Sequence, residues 1–355
     1  MSDLHLEAVG KSFDGRSYVV RDLSMTIRQG EFLTLLGPSG SGKTTTLMMI
    51  AGFETPSEGR ILHGGAPLDA VPTHRRNFGF VFQNYALFPH MSVQENILFP
   101  LKMRGLGRAE ALEKAERALD MVRLRHCRDR RPDRLSGGQQ QRIALARALV
   151  FDPQVVLLDE PLGALDKSLR EEMQLELKEL HGRLGVSFVF VTHDQEEALT
   201  MSDRIAVFDG GRLQQIGSPA EVYNDPETPF VAEFVGDINK LACSVAGDTG
   251  AGFREVAVAA GYNLRVPRQR VRSSAGAATL YVRPERVREL AGGGGERLKA
   301  RVLDVVYKGA YASLAVETEE GQRLSLVELA RGGEPQSRSG ALLELTIDAE
   351  SCLVF

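Results

Sequence analysis

The chain has 355 residues, more than one domain usually needs, with 43% hydrophobic residues, 25% charged residues and a formal net charge of −4. That composition is ordinary for a soluble globular protein, and the absence of a long basic stretch argues against a dedicated nucleic-acid binder. Three widely separated cysteines, Cys127, Cys243 and Cys352, make neither a disulfide framework nor a metal spacing, and no run of about 18 apolar residues is present to span a bilayer.

The N-terminal stretch MSDLHLEAVGKSF carries acids and lacks the apolar segment of a signal peptide, and the cysteine usage suits a reducing cytosol. Leu4–Val9 and Val19–Ile27 read as strands around the turn Asp14-Gly15, with the aromatics Phe13 and Tyr18 beside that turn. Phe32–Leu36 reads as a buried strand. It runs into Gly37-Pro38-Ser39-Gly40-Ser41-Gly42-Lys43-Thr44-Thr45 and then into a helix through Leu47, Met48, Ile50 and Ala51. This is the phosphate-binding pattern G-x-x-x-x-G-K-[ST] in the strand–loop–helix setting its mechanism needs. The glycines let backbone wrap phosphate, the N–H groups donate, Lys43 reaches the β- and γ-phosphates, and the Thr44 hydroxyl faces Mg²⁺.

Gly59–Leu62 and Asn77–Phe82 read as further strands, the second ending at Gln83. The insertion Asn84–Pro153 reads as mostly helical. Its first part, from Tyr85-Ala86-Leu87-Phe88-Pro89-His90-Met91 through Ile97, Phe99 and Met103, is either an apolar groove or the core of a small helical subdomain. Ala109–Leu124 places Leu112, Ala115, Leu119 and Val122 on one helical face. Leu135-Ser136-Gly137-Gly138-Gln139 then precedes a helix in which Ile143, Ala146, Leu149 and Val150 recur at helical spacing, while Arg142 and Arg147 face elsewhere. A glycine-rich helix start offers bare N–H groups and a positive dipole end to an anion.

Val155–Leu158 suits a buried parallel strand ending on two acids, Asp159 and Glu160, before Pro161 stops the ladder. Asp166 is an N-cap candidate for the helix Lys167–Leu184, whose stripe Leu169, Met173, Leu177, Leu180 and Leu184 reads as core contact. Phe188–Val191 is another buried strand. His193 follows it at the C-terminal edge, where open α/β sheets place their ligands. Ile205–Phe208 and Arg212–Ile216 close the sheet as a hairpin over Asp209-Gly210-Gly211.

The segment from Tyr223 to Gly236 reads as the exit from this first domain, set at residues 1–236 with its helical part at about 84–153. Residues 237–355 change texture to short alternating strands at Val256–Val258, Leu264–Val266, Leu280–Val282, Leu298–Val306, Ala312–Val316, Leu324–Leu326 and Leu342–Ile347, as in small β-barrels. Gly292–Gly295 reads as a flexible link.

LSGGQ, followed by QRIALARAL and an apolar strand ending in Asp-Glu, together with the phosphate loop, resembles the ATPase subunits of ABC transporters. The resemblance implies a P-loop NTPase with a RecA-like α/β core, an antiparallel β subdomain and a helical subdomain. The tail's LYVRPE and VVYKG stretches resemble the all-β, oligonucleotide-fold-like regulatory (TOBE) domain of many importer ATPases. By that resemblance Phe13, with Tyr18 as the alternative, stacks on adenine; Gly37–Thr45 cradle ATP; and Asp159, Thr44 and Gln83 serve Mg²⁺. Glu160 is the general base, with His193 and Gln83 completing the γ-phosphate shell. Ser136, Gly137, Gly138 and Gln139 would cap the ATP of a second protomer, and Asp166 would help join the two.

One phosphate loop and one LSGGQ per chain imply a head-to-tail homodimer. The resemblance further implies two membrane-spanning permease subunits, seated on the groove around Gln83–Phe99, and indirectly a solute-binding protein. It places the chain peripherally at the cytoplasmic face of the cell membrane. The segment VFQNYALFPHMSVQENILFPLKMRG resembles the polyamine branch most, with ferric iron, sulfate, sugar and aminophosphonate as alternative solutes. A soluble ABC-type ATPase of translation or DNA repair is the competing class. It would need a second ATPase unit or a long coiled coil, and neither is present. The tail lacks the basic stripe with stacking aromatics that nucleic-acid binding requires.

Overall fold

A computed structural model describes residues 2–246, 252–259, 262–290, 297–330 and 337–355, and the glycine link at 292–295 falls outside them. The chain forms two compact units, Met1–Val222 and Tyr223–Phe355.

The first unit opens with β1 (Leu4–Ser12) and β2 (Tyr18–Ile27), which with β4 (Glu58–His63) and β5 (Ala66–Pro67) make a four-stranded sheet in the order β2-β1-β4-β5. The six-stranded sheet has the order β10-β9-β3-β8-β7-β6. It is built from β3 (Phe32–Leu36), β6 (Phe78–Val81), β7 (Val155–Asp159), β8 (Ser187–Thr192), β9 (Arg204–Asp209) and β10 (Arg212–Gly217). Every pairing in it is parallel except the β9–β10 hairpin. Strands β3, β7 and β8 are buried along their full length, which explains why they read as unbroken apolar runs. Phe32 packs its ring 5.6 Å from that of Phe188 and 5.8 Å from that of Phe190.

Helix α1 (Lys43–Ala51) follows β3. Its C-terminal carbonyls, Met49 O and Ile50 O, accept from the buried guanidinium of Arg76, so α1 is capped by a side chain from a distant loop. Three helices, α2 (Val93–Met103), α3 (Arg108–Met121) and α4 (Gly137–Leu149), enclose their own core of Val93, Ile97, Leu101, Ala115, Leu119 and Ile143. Helix α3 ends before the expected Leu124, because Arg123 turns to φ 57°. Gly79 lets β6 approach α4; a Cβ there would lie 2.4 Å from Ala148 O. The first part of the insertion divides between the two readings: Tyr85, Ile97 and Leu101 are buried, whereas Met103 is 70% exposed.

Helix α5 (Lys167–Leu184) buries Met173, Leu177 and Leu180 against the sheet, as its stripe predicts. Two short helices, α6 (Gln195–Met201) and α7 (Pro219–Asn224), have too few turns for periodicity to reveal them.

In the second unit, α8 (Pro229–Phe234) precedes two five-stranded antiparallel sheets. One has the order β13-β12-β11-β14-β20, from β11 (Asn239–Val245), β12 (Phe253–Ala259), β13 (Tyr262–Pro267), β14 (Gly276–Val282) and β20 (Leu353–Val354). The other has the order β15-β19-β16-β17-β18, from β15 (Val287–Glu289), β16 (Leu298–Tyr307), β17 (Tyr311–Thr318), β18 (Arg323–Leu329) and β19 (Leu342–Ile347). Leu241, Val256, Leu280, Val302, Leu314 and Leu345 share one core between the sheets, giving the expected all-β, barrel-like unit.

Four strands escaped the sequence reading. β11 is central but sets polar Asn239, Lys240 and Ser244 among its apolar residues, and β5, β15 and β20 are too short to show alternation. Segment 223–236, read from the sequence as the exit from the first domain, falls within the second compact unit. The reason is Arg283, just after β14, whose guanidinium donates to the carbonyls of Tyr223, Ala232, Gly236 and Asp237. Together with Arg270 donating to Asn224 O, Arg272 to Pro226 O and the Tyr281 hydroxyl to Glu233, this buried cation ties segment 223–237 to the second unit.

Candidate active site

Parallel pairing sets the site. Leu36 of β3 is in register with Thr192 of β8, Asp159 of β7 with Val191 of β8, and Val81 of β6 with Leu158 of β7. The residues that leave these strands, Gly37, His193, Glu160 and Gln83, therefore emerge from one edge of one sheet.

A cavity of about 180 Å³ is lined by Val19, Ser39, Gly40, Ser41, Gly42, Lys43, Thr44, Thr45 and Glu160. Two glycines of the loop are fixed by close approach. A Cβ on Gly37 would lie 2.3 Å from Phe208 O, and one on Gly42, at φ 97°, 2.7 Å from Val19 O. Gly42 is the N-cap of α1 and brings no side-chain acceptor, and the first helical turn holds no acid. The helix start thus presents unanswered N–H groups, the arrangement that binds phosphate. Lys43 is 5% exposed, and its ammonium donates to Gly37 O at 2.8 Å and Pro38 O at 2.9 Å. Burial lowers its pKa, opposed by the negative charge of Glu160 and Asp159.

The Thr44 hydroxyl donates to Asp159 Oδ1 at 2.8 Å. Asp159 is 7% exposed, and burial raises its pKa despite that bond and the nearby Lys43. A hydroxyl and a buried carboxylate whose charge is under-compensated form a hard-oxygen pair suited to a small divalent cation. Among the described residues no cluster of three His, Cys, Asp or Glu side chains could hold a metal.

Glu160 sits at φ 42°, a sparsely populated region for a non-glycine residue, held by its N–H donating to Val191 O at 3.1 Å. Its Oε2 accepts from Gln83 Nε2 at 3.3 Å and lies 3.3 Å from His193 Nδ1. Gln83, Glu160 and His193 are therefore joined through one carboxylate oxygen. Behind His193 lies a network the sequence reading missed. The Thr192 hydroxyl donates to the buried Glu197 at 2.5 Å, and Asp194 caps α6 through the N–H groups of Glu196 and Glu197. Arg170 of α5 links Asp194 Oδ2, at 3.3 Å, to Leu165 O, at 3.1 Å. The only trace of this in the sequence is an Asp followed three residues later by a Glu, a common helix-start pattern.

The remaining expected residues lie apart from this cavity. Ser136 is the N-cap of α4 in a reciprocal capping box with Gln139, and Gly137 and Gly138 pack against Leu165 and Leu169. Asp166 caps α5, its Oδ1 accepting from Leu169 N–H at 3.0 Å. Phe13 is 63% exposed, with the Lys11 ammonium 4.7 Å from its ring centroid, whereas Tyr18 is tied by its hydroxyl to Glu58.

Comparison with known proteins matches residues 20–163 to the ABC transporter family model and residues 280–355 to the TOBE domain model. A spermidine/putrescine import ATP-binding protein of Rubrobacter xylanophilus is 46% identical, over 99% of this chain and 93% of that one. Its counterpart in Trichodesmium erythraeum is 50% identical over 81% of this chain and 76% of its own length. A Fe(3+) ions import ATP-binding protein of Rhizobium etli is 48% identical over 88% and 87%. Among solved structures, cbiO1 of Clostridium perfringens, part of an ABC transporter complex, superposes with a TM-score of 0.59 at 31% identity, covering 63% of this chain and 91% of that one. A dimeric ATP-binding cassette, MJ0796, in a post-hydrolysis state bound to ADP and Pi, gives a TM-score of 0.55 at 33% identity, covering 61% and 98%. With a phosphate loop, paired acids and an LSGGQ helix start set on that fold, and relatives matched over 76% and 93% of their length, this chain belongs to the ATP-binding subunits of ABC transporters.

Proposed function

We propose that the chain is the ATP-hydrolysing subunit of an importer whose solute is a polyamine, spermidine or putrescine. The observation that carries the hydrolytic reading is the convergence of Lys43, Thr44, Asp159, Glu160, Gln83 and His193 at one sheet edge. Phosphoryl transfer to water needs charge neutralised and water placed in line, with little covalent help. Lys43 and the loop amides meet the phosphates. Thr44 and Asp159, with Gln83, are the holders of Mg²⁺, which supplies further neutralisation of phosphate charge when bound. Glu160 orients and deprotonates the attacking water, and Gln83 and His193 hold that carboxylate from two sides. Phe13, exposed beside the β1–β2 turn, is the adenine-stacking candidate.

The signature residues Ser136–Gln139 do not line the phosphate-loop cavity of their own chain, which supports their service to a second copy. Two copies related head to tail give two complete sites, with Asp166 at the junction. ATP binding closes that dimer and hydrolysis reopens it. The movement passes to two permease subunits through the apolar stretch Gln83–Phe99, where the Phe88 and Phe99 ring centroids lie 4.7 Å apart. The reading places the chain at the cytoplasmic face through those subunits; no helix among the described residues is long and apolar enough to cross a membrane. The β unit serves as a dimerising or regulatory module.

The polyamine assignment rests on the names of the relatives, and the ferric-iron relative supports the second reading. With the permease pair in vesicles, ATP turnover should rise when a spermidine-loaded binding protein is added. It should not rise with a ferric-loaded one. Stimulation by the ferric-loaded protein alone, or by neither, would overturn the polyamine as the solute.

A further inference from the structure

We propose that Arg147 is a positioning residue that holds the Gln83 loop in a strained shape and so ties it to the helix that begins at Ser136. The proposal rests on the hydrolytic reading of Gln83 and Glu160. Directly after Gln83 the chain reverses. The Tyr85 N–H donates to Phe82 O at 2.8 Å, the Ala86 N–H to Asn84 O at 2.7 Å, and Tyr85 and Ala86 stand at φ 61° and 47°. Two successive non-glycine residues in the left-handed region persist only where their surroundings hold them.

Arg147 supplies that hold. Its Nη1 donates to Ala86 O at 2.8 Å and its Nη2 to Tyr85 O at 2.9 Å, so one planar fork caps both carbonyls of the strained pair. Its guanidinium carbon lies 5.6 Å from the centroid of the Phe88 ring. Among the described residues no carboxylate comes within ion-pair distance of Arg147, and burial lowers its pKa. The carbonyls, not an acid, are what this cation serves.

Arg147 lies in the last turn of α4, and Ser136 is the N-cap of the same helix. The two are separated by about 16 Å of rigid helix. The Tyr85 ring belongs to the same core as Ala144, Leu145 and Ala148 of α4, so side chain and backbone of the loop are both fixed to it. A tilt of α4 that moves the signature residues thereby moves Gln83, whose amide bonds Glu160. Arg147 touches no substrate; it acts through the loop.

The test is a double-mutant cycle on the purified full-length chain, using ATP turnover and thermal melting. Arg147→Met should lower kcat about tenfold while KM for ATP stays within about threefold. Ala86→Gly removes the strain at one of the two positions, because glycine adopts positive φ freely. In that background Arg147→Met should cost at least about threefold less. An equal loss in both backgrounds, a loss carried by KM, or no loss overturns the proposal. If Arg147→Met fails to fold, the same cycle is read with Arg147→Lys, which keeps the charge but has no planar fork. A wild-type chain without ATP turnover would overturn the hydrolytic reading instead.

Discussion

Glu160 joins three properties in one residue: a left-handed backbone at φ 42°, a half-buried carboxylate, and an oxygen shared between Gln83 and His193. A left-handed non-glycine residue costs on the order of 1–3 kcal/mol, and it persists here because Val191 O receives the Glu160 N–H. The strained step turns the carboxylate from the strand end toward the phosphate loop. Substitution Glu160→Gln keeps that shape while removing the proposed base. ATP binding, measured with a fluorescent nucleotide, should stay within about threefold of wild type, and hydrolysis should fall by about 10²–10⁴-fold. Normal turnover in that variant would remove Glu160 from the role of base. The identity of this residue is visible in the sequence, since an apolar β-branched run ending in two acids marks a strand end. Its strain is not, because the backbone bond that holds it goes to Val191 of β8, far along the chain.

At the scale of elements, α4 carries two separate duties. Ser136 and Gln139 close its N-terminus with a capping box, while Gly138 packs beneath Leu169 of α5; a Cβ there would meet the leucine methyls at 3.1 Å. Ser136→Ala therefore has a local cost of about 1 kcal/mol through the lost cap. If the same residue serves a partner's nucleotide, the variant should bind ATP normally yet lose most of its turnover. Titration of ATP binding beside steady-state hydrolysis checks this, and a parallel loss of both would reduce Ser136 to a cap. Helical periodicity revealed α4 and the core stripe of α5, because both are long enough to repeat. It missed α6, whose seven residues give too few turns, and the Arg170–Asp194–Glu197 network that connects it to α5.

For the whole molecule, the first unit is built on a mixed sheet with its own cores, and the second on a β core of Leu241, Val256, Leu280, Leu314 and Leu345. Separate cores predict separate melting. Calorimetry of the full chain should resolve two transitions, and saturating nucleotide should raise only that of residues 1–222, by about 2.7 kcal/mol at a hundredfold excess over Kd. A single transition that shifts as one would show the units to be energetically fused.

The sequence by itself determined the local chemistry: the Gly37–Thr45 loop, the strand ending at Asp159 and Glu160, the signature helix start, and the change to an all-β tail. Each is written in consecutive residues, because a phosphate loop, a helix cap and a buried strand are short-range structures. Tertiary structure alone decided which of these meet. Parallel register of β6, β7, β8 and β3 brings Gln83, Glu160, His193 and Gly37 to one edge, while Ser136–Gln139 stay off that cavity. It also gathered segment 223–237 into the second compact unit, through the carbonyls held by Arg283. And it gave Arg147 its partners, 61 and 62 residues away. A guanidinium bonded to distant carbonyls constrains only the backbone it reaches, not the residue type there, so such bonds leave no periodic or compositional mark in the chain.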